Sequence, residues 1–246
     1  MKTIVIALIC ILFSLSVHAE DKKISICSFD WPPHHSPKLI NEGYTADIIK
    51  AIFEPQGYKI TKTFLPWNRA QTWAKEGKKC DAITEIYLNK ERLNYYWYGA
   101  PYSIHEVYLI TLKSNPLKNY TTLKELVEYK FGYNMGGSLS KEFDSADYLT
   151  KIPTKGYNNG IKMLLAGRFD FFVSPKSVAY YEAKKDGRLR EIHTIGKPLG
   201  RQPVYMAFSK SNAENVTRIQ DYNRGLFLLF KTGEYFKIVQ DHLPYR

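Results

Sequence analysis

The sequence predicts an α/β protein made of two units, each a small sheet flanked by helices, with a helical tail at the end. Three observations carry this. In the first half, strand-like and helix-like segments alternate, the pattern of parallel strands joined by crossover helices. The middle of the chain repeats that grammar. No Gly/Ser/Pro-rich stretch separates the units, so they are lobes joined by extended strands near 103–109 and 200–207 rather than beads on a flexible linker.

Each segment has a physical reason. KISICSF (23–29) is a strand, with Ile24, Ile26 and Phe29 apolar. GYTADIIKAIF (43–53) is a helix: Ile48, Ile49, Ile52 and Phe53 share a face, Thr45 is positioned to cap it, and Pro55 and Gly57 end it. YKITKTFL (58–65) alternates as a strand does. PWNRAQTWAKEG (66–77) begins with proline in a helix's first turn and stops at Gly77, with Trp67, Ala70, Trp73 and Ala74 inward. CDAITEIY (80–87) and HEVYLITLK (105–113) are strands. Tyr95 to Tyr98 form a further strand of the first unit. Thr122 and Glu125 make a capping box for a helix through Val127. KFGYNM (130–135) is a strand, and GGSLSKEFDSADYL turns through glycines into a helix. A helix over 160–167 ends on Gly167. RFDFFVS (168–174) is a strand, 177–185 a helix and 204–210 a strand. The tail from about Glu214 to His242 is helical, with Ile219, Leu226, Leu229 and Phe230 as its apolar stripe.

The first residues, MKTIVIALICILFSLSVHA, have a short basic start, an apolar stretch too short for a permanent span, and small residues before Ala19. They predict a signal peptide over 1–19, cleaved after Ala19, and a periplasmic product. Cys10 lies inside the apolar stretch, a poor context for lipid modification. Formal charge falls from +11 to +10 on cleavage, because residues 1–19 hold one lysine and no acid. The remaining charge is spread along the chain, without the basic block that marks a nucleic-acid partner. The expected state is a monomer. Cys27 and Cys80 fit a disulfide in an oxidising compartment, and fit two buried thiols equally well.

Enzyme motifs are missing. There is no GxSxG, HExxH, GxxxxGK[ST] or GxGxxG, and carboxylates such as Asp170 and Glu182 are not diagnostic by themselves. His34 and His35, near Asp30, read as a surface loop, so no metal and no cofactor is expected. The binding features say more. Ligands of such sheets sit at the carboxyl ends of the strands. Those ends carry Trp31, Trp67, Glu85 to Tyr87, Gly136 to Ser138, and Ser174. Trp31 and Trp67 could sandwich a flat or apolar ligand part, and core packing is an even alternative for Trp67. GYNMGGSLS presents a helix start whose N–H groups attract an anion. An ordinary N-cap serine is the plainer reading of Ser138. Arg92 follows the loop after 80–87, where a guanidinium could hold a carboxylate by two parallel hydrogen bonds.

The order and spacing of DWPP, GYTADIIKAIFEPQGY, GKKCDAI, ERLNYYWYGAPY, the G-G-S turn, AGRFDFFV and LFKTGEYFKIVQDH resemble the family-three extracellular solute-binding proteins. These are the periplasmic receptors of polar amino-acid ABC transporters. The resemblance implies the two-lobed periplasmic-binding-protein fold of type II, with two crossing strands as a hinge. Residues 20–106 with 205–246 would form lobe 1 and residues 107–204 lobe 2. It implies capture of a small polar, carboxylate-bearing ligand, with an ABC permease or a sensor as partner. By position, Arg92 matches the family's carboxylate-binding arginine, and Ser138, with Gly137 before it, the hydroxyl residue opposite. Trp31 matches the aromatic that packs on the ligand. Trp67, Asn68 and Arg69 fall where its side chain is sensed, and Glu85 and Tyr87 in the loop lining the first lobe. One departure stands out: Pro175 occupies the place of the aspartate that pairs with an α-ammonium, which leaves Glu85 as the available negative charge.

Two rivals follow. The fold also resembles periplasmic dehydratases of cyclohexadienyl acids, in which Glu85 or Asp170 would be the general acid. A partner-binding module with its cleft filled by aromatic side chains is the other. The binding protein is preferred over the enzyme because no acid–base signature stands out.

Overall fold

The computed structural model describes residues 22–135 and 139–243. The expected signal peptide, Gly137 and Ser138 lie outside the described residues. The elements run β1 (Lys22–Ser28), α1 (Tyr44–Phe53), β2 (Tyr58–Phe64), α2 (Trp67–Glu76), β3 (Ala82–Ile86), β4 (Tyr96–Tyr98) and β5 (Ser103–Leu112). Then follow β6 (Lys130–Asn134), α3 (Lys141–Asp144), β7 (Thr150–Thr154), α4 (Tyr157–Leu165), β8 (Phe171–Pro175) and α5 (Lys176–Lys185). The chain ends with β9 (Ile192–Ser209), α6 (Asn215–Thr232) and α7 (Glu234–His242).

The strands form one mixed sheet in the order β2-β1-β3-β9-β5-β8-β6-β7, with β4 also paired to β9. Crossover helices make β1 parallel to β2 and β3, and β6 parallel to β7 and β8. The long β9 runs antiparallel to β3, β4 and β5, and so joins the two parallel sets. β5 and β9 pair from Ser103↔Val204 through Val107↔Gly200, making a two-stranded crossing between the halves.

Alternation along each strand sends side chains to opposite faces and builds two cores on each side of the crossing. Ile24 and Ile26 of β1, with Met206 and Phe208 of β9, pack beneath α1, α6 and α7. Cys27 and Ala207 point the other way, against Ala70 and Ala74 of α2. In the second half Phe171 and Val173 meet Phe131 and Phe143, while Phe172 between them joins Ile161, Leu164 and Ala179. Cys27 and Cys80 are joined in a disulfide, which settles the choice left open by the sequence.

Local chemistry differs from expectation at several ends. Thr45 does not cap α1; the N-cap is Gly43, at φ 95°, and no side chain bonds the free amides. The capping box of Thr122 and Glu125 is present, but it opens a single 3-10 turn, Leu123–Leu126. α3 is one turn long, capped by Ser140 Oγ accepting from the Phe143 N–H at 3.1 Å. The tail is two helices, because Gly233 adopts a left-handed φ of 79° between them. Phe230 lies exposed rather than in the tail's stripe, and Tyr222 fills the core in its place. No helix among the described residues is long and apolar enough to cross a membrane.

Candidate functional site

The carboxyl ends of β1, β2 and β3 converge on an aromatic group. Phe29, just past β1, stacks on Trp31 at 5.7 Å and meets Trp67 edge-on at 4.7 Å. Trp67 opens α2 and is half-buried. The Arg92 guanidinium carbon lies 5.3 Å from the centroid of the Trp67 ring. Its Nη1 donates to the Tyr87 carbonyl at 2.9 Å and its Nη2 to Gln71 Oε1 at 3.0 Å. A guanidinium has five N–H donors in a planar fork, so these two bonds hold Arg92 still and leave donors to take carboxylate oxygens. Of the residues expected to line the site, the structure thus brings together Trp31, Trp67, Tyr87 and Arg92. Asn68 and Arg69 are exposed on the first turn of α2.

A polar layer lies beneath this aromatic one. The Tyr87 hydroxyl is 2.9 Å from His105 Nδ1, on β5. His105 Nε2 is 3.2 Å from His34 Nδ1 and 3.4 Å from Glu85 Oε2. The other Glu85 oxygen, Oε1, accepts from the Thr45 hydroxyl at 2.5 Å and the Tyr102 hydroxyl at 2.8 Å. Thr45, predicted as a helix cap, therefore serves this carboxylate. Burial pushes the Glu85 carboxyl up to about 7, against the pull of those two hydroxyls. Burial likewise draws His35 down to about 3, helped by His105 and Lys62, so its ring is neutral.

The histidine loop is a correction. His34 and His35, read as a surface loop, are 1 % and 2 % exposed. Gly43 packs against the His34 carbonyl, Trp31 and His35 form an isolated bridge, and Phe29 meets the His35 ring edge-on. None of these contacts is legible from WPPHHSPK alone. His105 did leave a signal: it shares the inward period-two face of its strand with Ser103, Val107 and Leu109, all buried.

The second half reaches this layer. Ser177 Oγ, at the start of α5, is 3.4 Å from His34 Nε2. Burial raises the Tyr87 phenol well above its ordinary value, and the nearness of Tyr157, on α4, adds to the effect. His34, Tyr44, Ser103, His105, Lys176 and Ser177 line a cavity of ≈ 170 Å³ between the halves. Pro175 caps α5 with Lys176 and Ser177 after it, so the start of that helix offers no carboxylate. Asp170 lies just before β8, at the opposite end of the parallel strands, where its carboxylate accepts from the Lys130 N–H at 2.8 Å.

The sequence matches the family described as bacterial extracellular solute-binding proteins, family 3, over residues 29–244. The chain belongs to that family. No curated protein sequence matches it. Among solved structures, this family 3 protein is similar to a histidine kinase sensor domain described as resembling periplasmic binding proteins. The TM-score is 0.72 at 21% identity, over 90% of this chain and 96% of that one. It is also similar to substrate-binding domain 2 of GlnP from Lactococcus lactis in an open conformation, with a TM-score of 0.70 at 21% identity over 92% and 97%. A third is the amino acid ABC transporter substrate-binding protein AbpA from Streptococcus pneumoniae bound to L-arginine, with a TM-score of 0.70 at 18% identity over 90% and 94%. At such identities these likenesses show the fold of this family 3 protein: α/β, with a mixed sheet flanked by helices, as in type II periplasmic binding proteins.

Proposed function

We propose that this chain is a periplasmic receptor that captures a small, polar, carboxylate-bearing solute between its two halves, for uptake or sensing. The observation that carries the reading is Arg92, clamped by the Tyr87 carbonyl and Gln71 over the Trp67 ring, with donors to spare at the carboxyl end of the first parallel set. Trp31 and Trp67 supply flat apolar surface beside it. The lobes would be 20–106 with 205–246, and 107–204, moving about β5 and β9 as a hinge. Ser138 and Gly137 would complete the grip from the second half.

The ligand class stays broader than α-amino acids. The start of α5 has Pro175, Lys176 and Ser177 where an acidic partner for an ammonium would stand, and Glu85 is buried under hydroxyls. The same facts weigh against the dehydratase reading. Glu85 is 3 % exposed and Asp170 is at the far end of its strands, so neither carboxyl is presented to a substrate in the cleft.

Mass spectrometry of compounds released on denaturing the freshly purified protein tests the proposal. It predicts a small acid carried near one per chain, or stabilisation by one from a panel of amino acids and small carboxylates. Retention of a neutral compound only, with no acid giving stabilisation, would contradict it.

A further inference from the structure

We propose that His34, Glu85 and His105 form a binding centre for a zinc-class divalent transition-metal ion at the floor of the cleft. One ligand atom from each of these three buried residues lies within 4.8 Å of the other two. Two of the edges are 3.2 Å, from His105 Nε2 to His34 Nδ1, and 3.4 Å, from His105 Nε2 to Glu85 Oε2. A tetrahedral zinc with bonds of about 2.0–2.1 Å sets its ligand atoms about 3.3 Å apart, so both edges already have the spacing such an ion imposes. Two imidazoles and a carboxylate are the donor set of that ion class.

A second observation points the same way. Glu85 Oε2 is fully buried and accepts no hydrogen bond, while Oε1 takes two. A buried carboxylate oxygen without a donor is costly, and a cation beside it removes the cost. Glu85 also has a left-handed backbone, φ 56°, rare for a side chain with a Cβ. That conformation, at the register shift between Ile83 and Ile86, accompanies a carboxylate aimed inward at the two rings.

The surroundings are those of a supported site. Metal-binding histidines use the other ring nitrogen to fix their orientation, and bound carboxylates are held by outer hydrogen bonds. His105 has the Tyr87 hydroxyl at Nδ1, His34 has Ser177 Oγ near Nε2, and Glu85 has Thr45 and Tyr102. The Tyr44 hydroxyl, 2.7 Å from His34 Nδ1, is hydrogen-bonded to that nitrogen and would have to turn aside for an ion to bind it. The ≈ 170 Å³ cavity beside His34 and His105 gives an approach for the ion. The three ligands come from the loop after β1, the end of β3 and the crossing strand β5. An ion there would tie the first half to the crossing, and through Ser177 would touch the second half.

The test uses protein purified without a polyhistidine tag and stripped with EDTA. Zinc alone, titrated by calorimetry near neutral pH, should bind at one ion per chain and raise the melting temperature by about 5 °C or more at a hundredfold excess over Kd. Cobalt alone should give the intense visible absorption of a four-coordinate site, which zinc then abolishes. The double variant His34→Gln/His105→Gln should weaken zinc at least about 100-fold, while His193→Gln leaves it unchanged. No saturable uptake, a weak octahedral-type cobalt spectrum, or equal affinity in the double variant would overturn the site. If the double variant does not fold, the cobalt spectrum of the wild-type protein decides alone. None of these readouts requires the organic solute, so the metal centre and the carboxylate receptor stand or fall separately.

Discussion

Asp221 is 4 % exposed, and its carboxylate is held below its ordinary 3.8. Burial pushes it up, but hydrogen bonds from Tyr58 at 2.8 Å and Lys22 at 3.0 Å, with Arg224 beside the other oxygen, outweigh that. A depressed carboxylate stabilises the fold fully above its unfolded value, and the gain is lost as pH falls through the folded one. Urea denaturation between about pH 5 and pH 2 should therefore show an acid-side loss that Asp221→Asn flattens. Lys22 and Arg224 are half exposed, so the substitution should lower neutral-pH stability by only about 1–3 kcal/mol, mostly through Tyr58. Gly43 is constrained differently. It sits at φ 95°, and a Cβ there would fall 2.5 Å from the His34 carbonyl oxygen. Gly43→Ala should cost at least about 1–3 kcal/mol in the same denaturation measurement. At this scale ERLNYYWYGAPY puts Arg92 after the loop that follows β3, and the structure sets its guanidinium carbon 5.3 Å from the centroid of the Trp67 ring. The Thr45–Glu85 bond could not be read from the sequence because its partners lie forty residues apart, nor could the burial of His34, whose ring meets Tyr44 and the distant His105.

Among the elements, the Cys27–Cys80 bridge ties the end of β1 to the turn before β3 across a separation of 53 residues. Closing a loop of that length removes about 4 kcal/mol of unfolded-state entropy in the chain model. Cys27→Ala/Cys80→Ala should thus lower unfolding free energy by about 2–4 kcal/mol, and reductant should do the same to the wild type. An unchanged urea midpoint under reductant would show that the bridge contributes nothing. Most elements could be read from apolar patterning: α1 and α2 bury one face, β2 alternates over its first residues, and β8 is an apolar run buried on both faces. β7 was missed: Thr150–Thr154 is an edge strand with Pro153 and little burial, so alternation never shows. The first part of β9, residues 192–199, was missed because Gly196 and Pro198 imitate a loop. That stretch holds its strand form through pairing to β5, which is non-local.

At the scale of the whole molecule, two α/β halves meet across β5 and β9, and the groups of the candidate site gather where they meet. His34 and Ser177 bring the halves together at the floor of the cleft. Arg92 stands above, anchored wholly within the first half. In the proposed receptor, a carboxylate taken there is bound first by the first half and then covered by the second. The two-unit layout could be read from the sequence, but the buried histidine and glutamate layer was not, since it exists only once β1, β3 and β5 lie side by side. The most direct measurement is calorimetric titration of wild-type protein and Arg92→Ala with the tightest-binding carboxylic acid from the panel and with its neutral amide. Arg92→Ala should weaken the acid at least about 30-fold, and the amide should bind both proteins with similarly low affinity. Equal affinity of the acid for the two proteins, or an amide that binds wild type as tightly as the acid does, would contradict the proposed carboxylate grip.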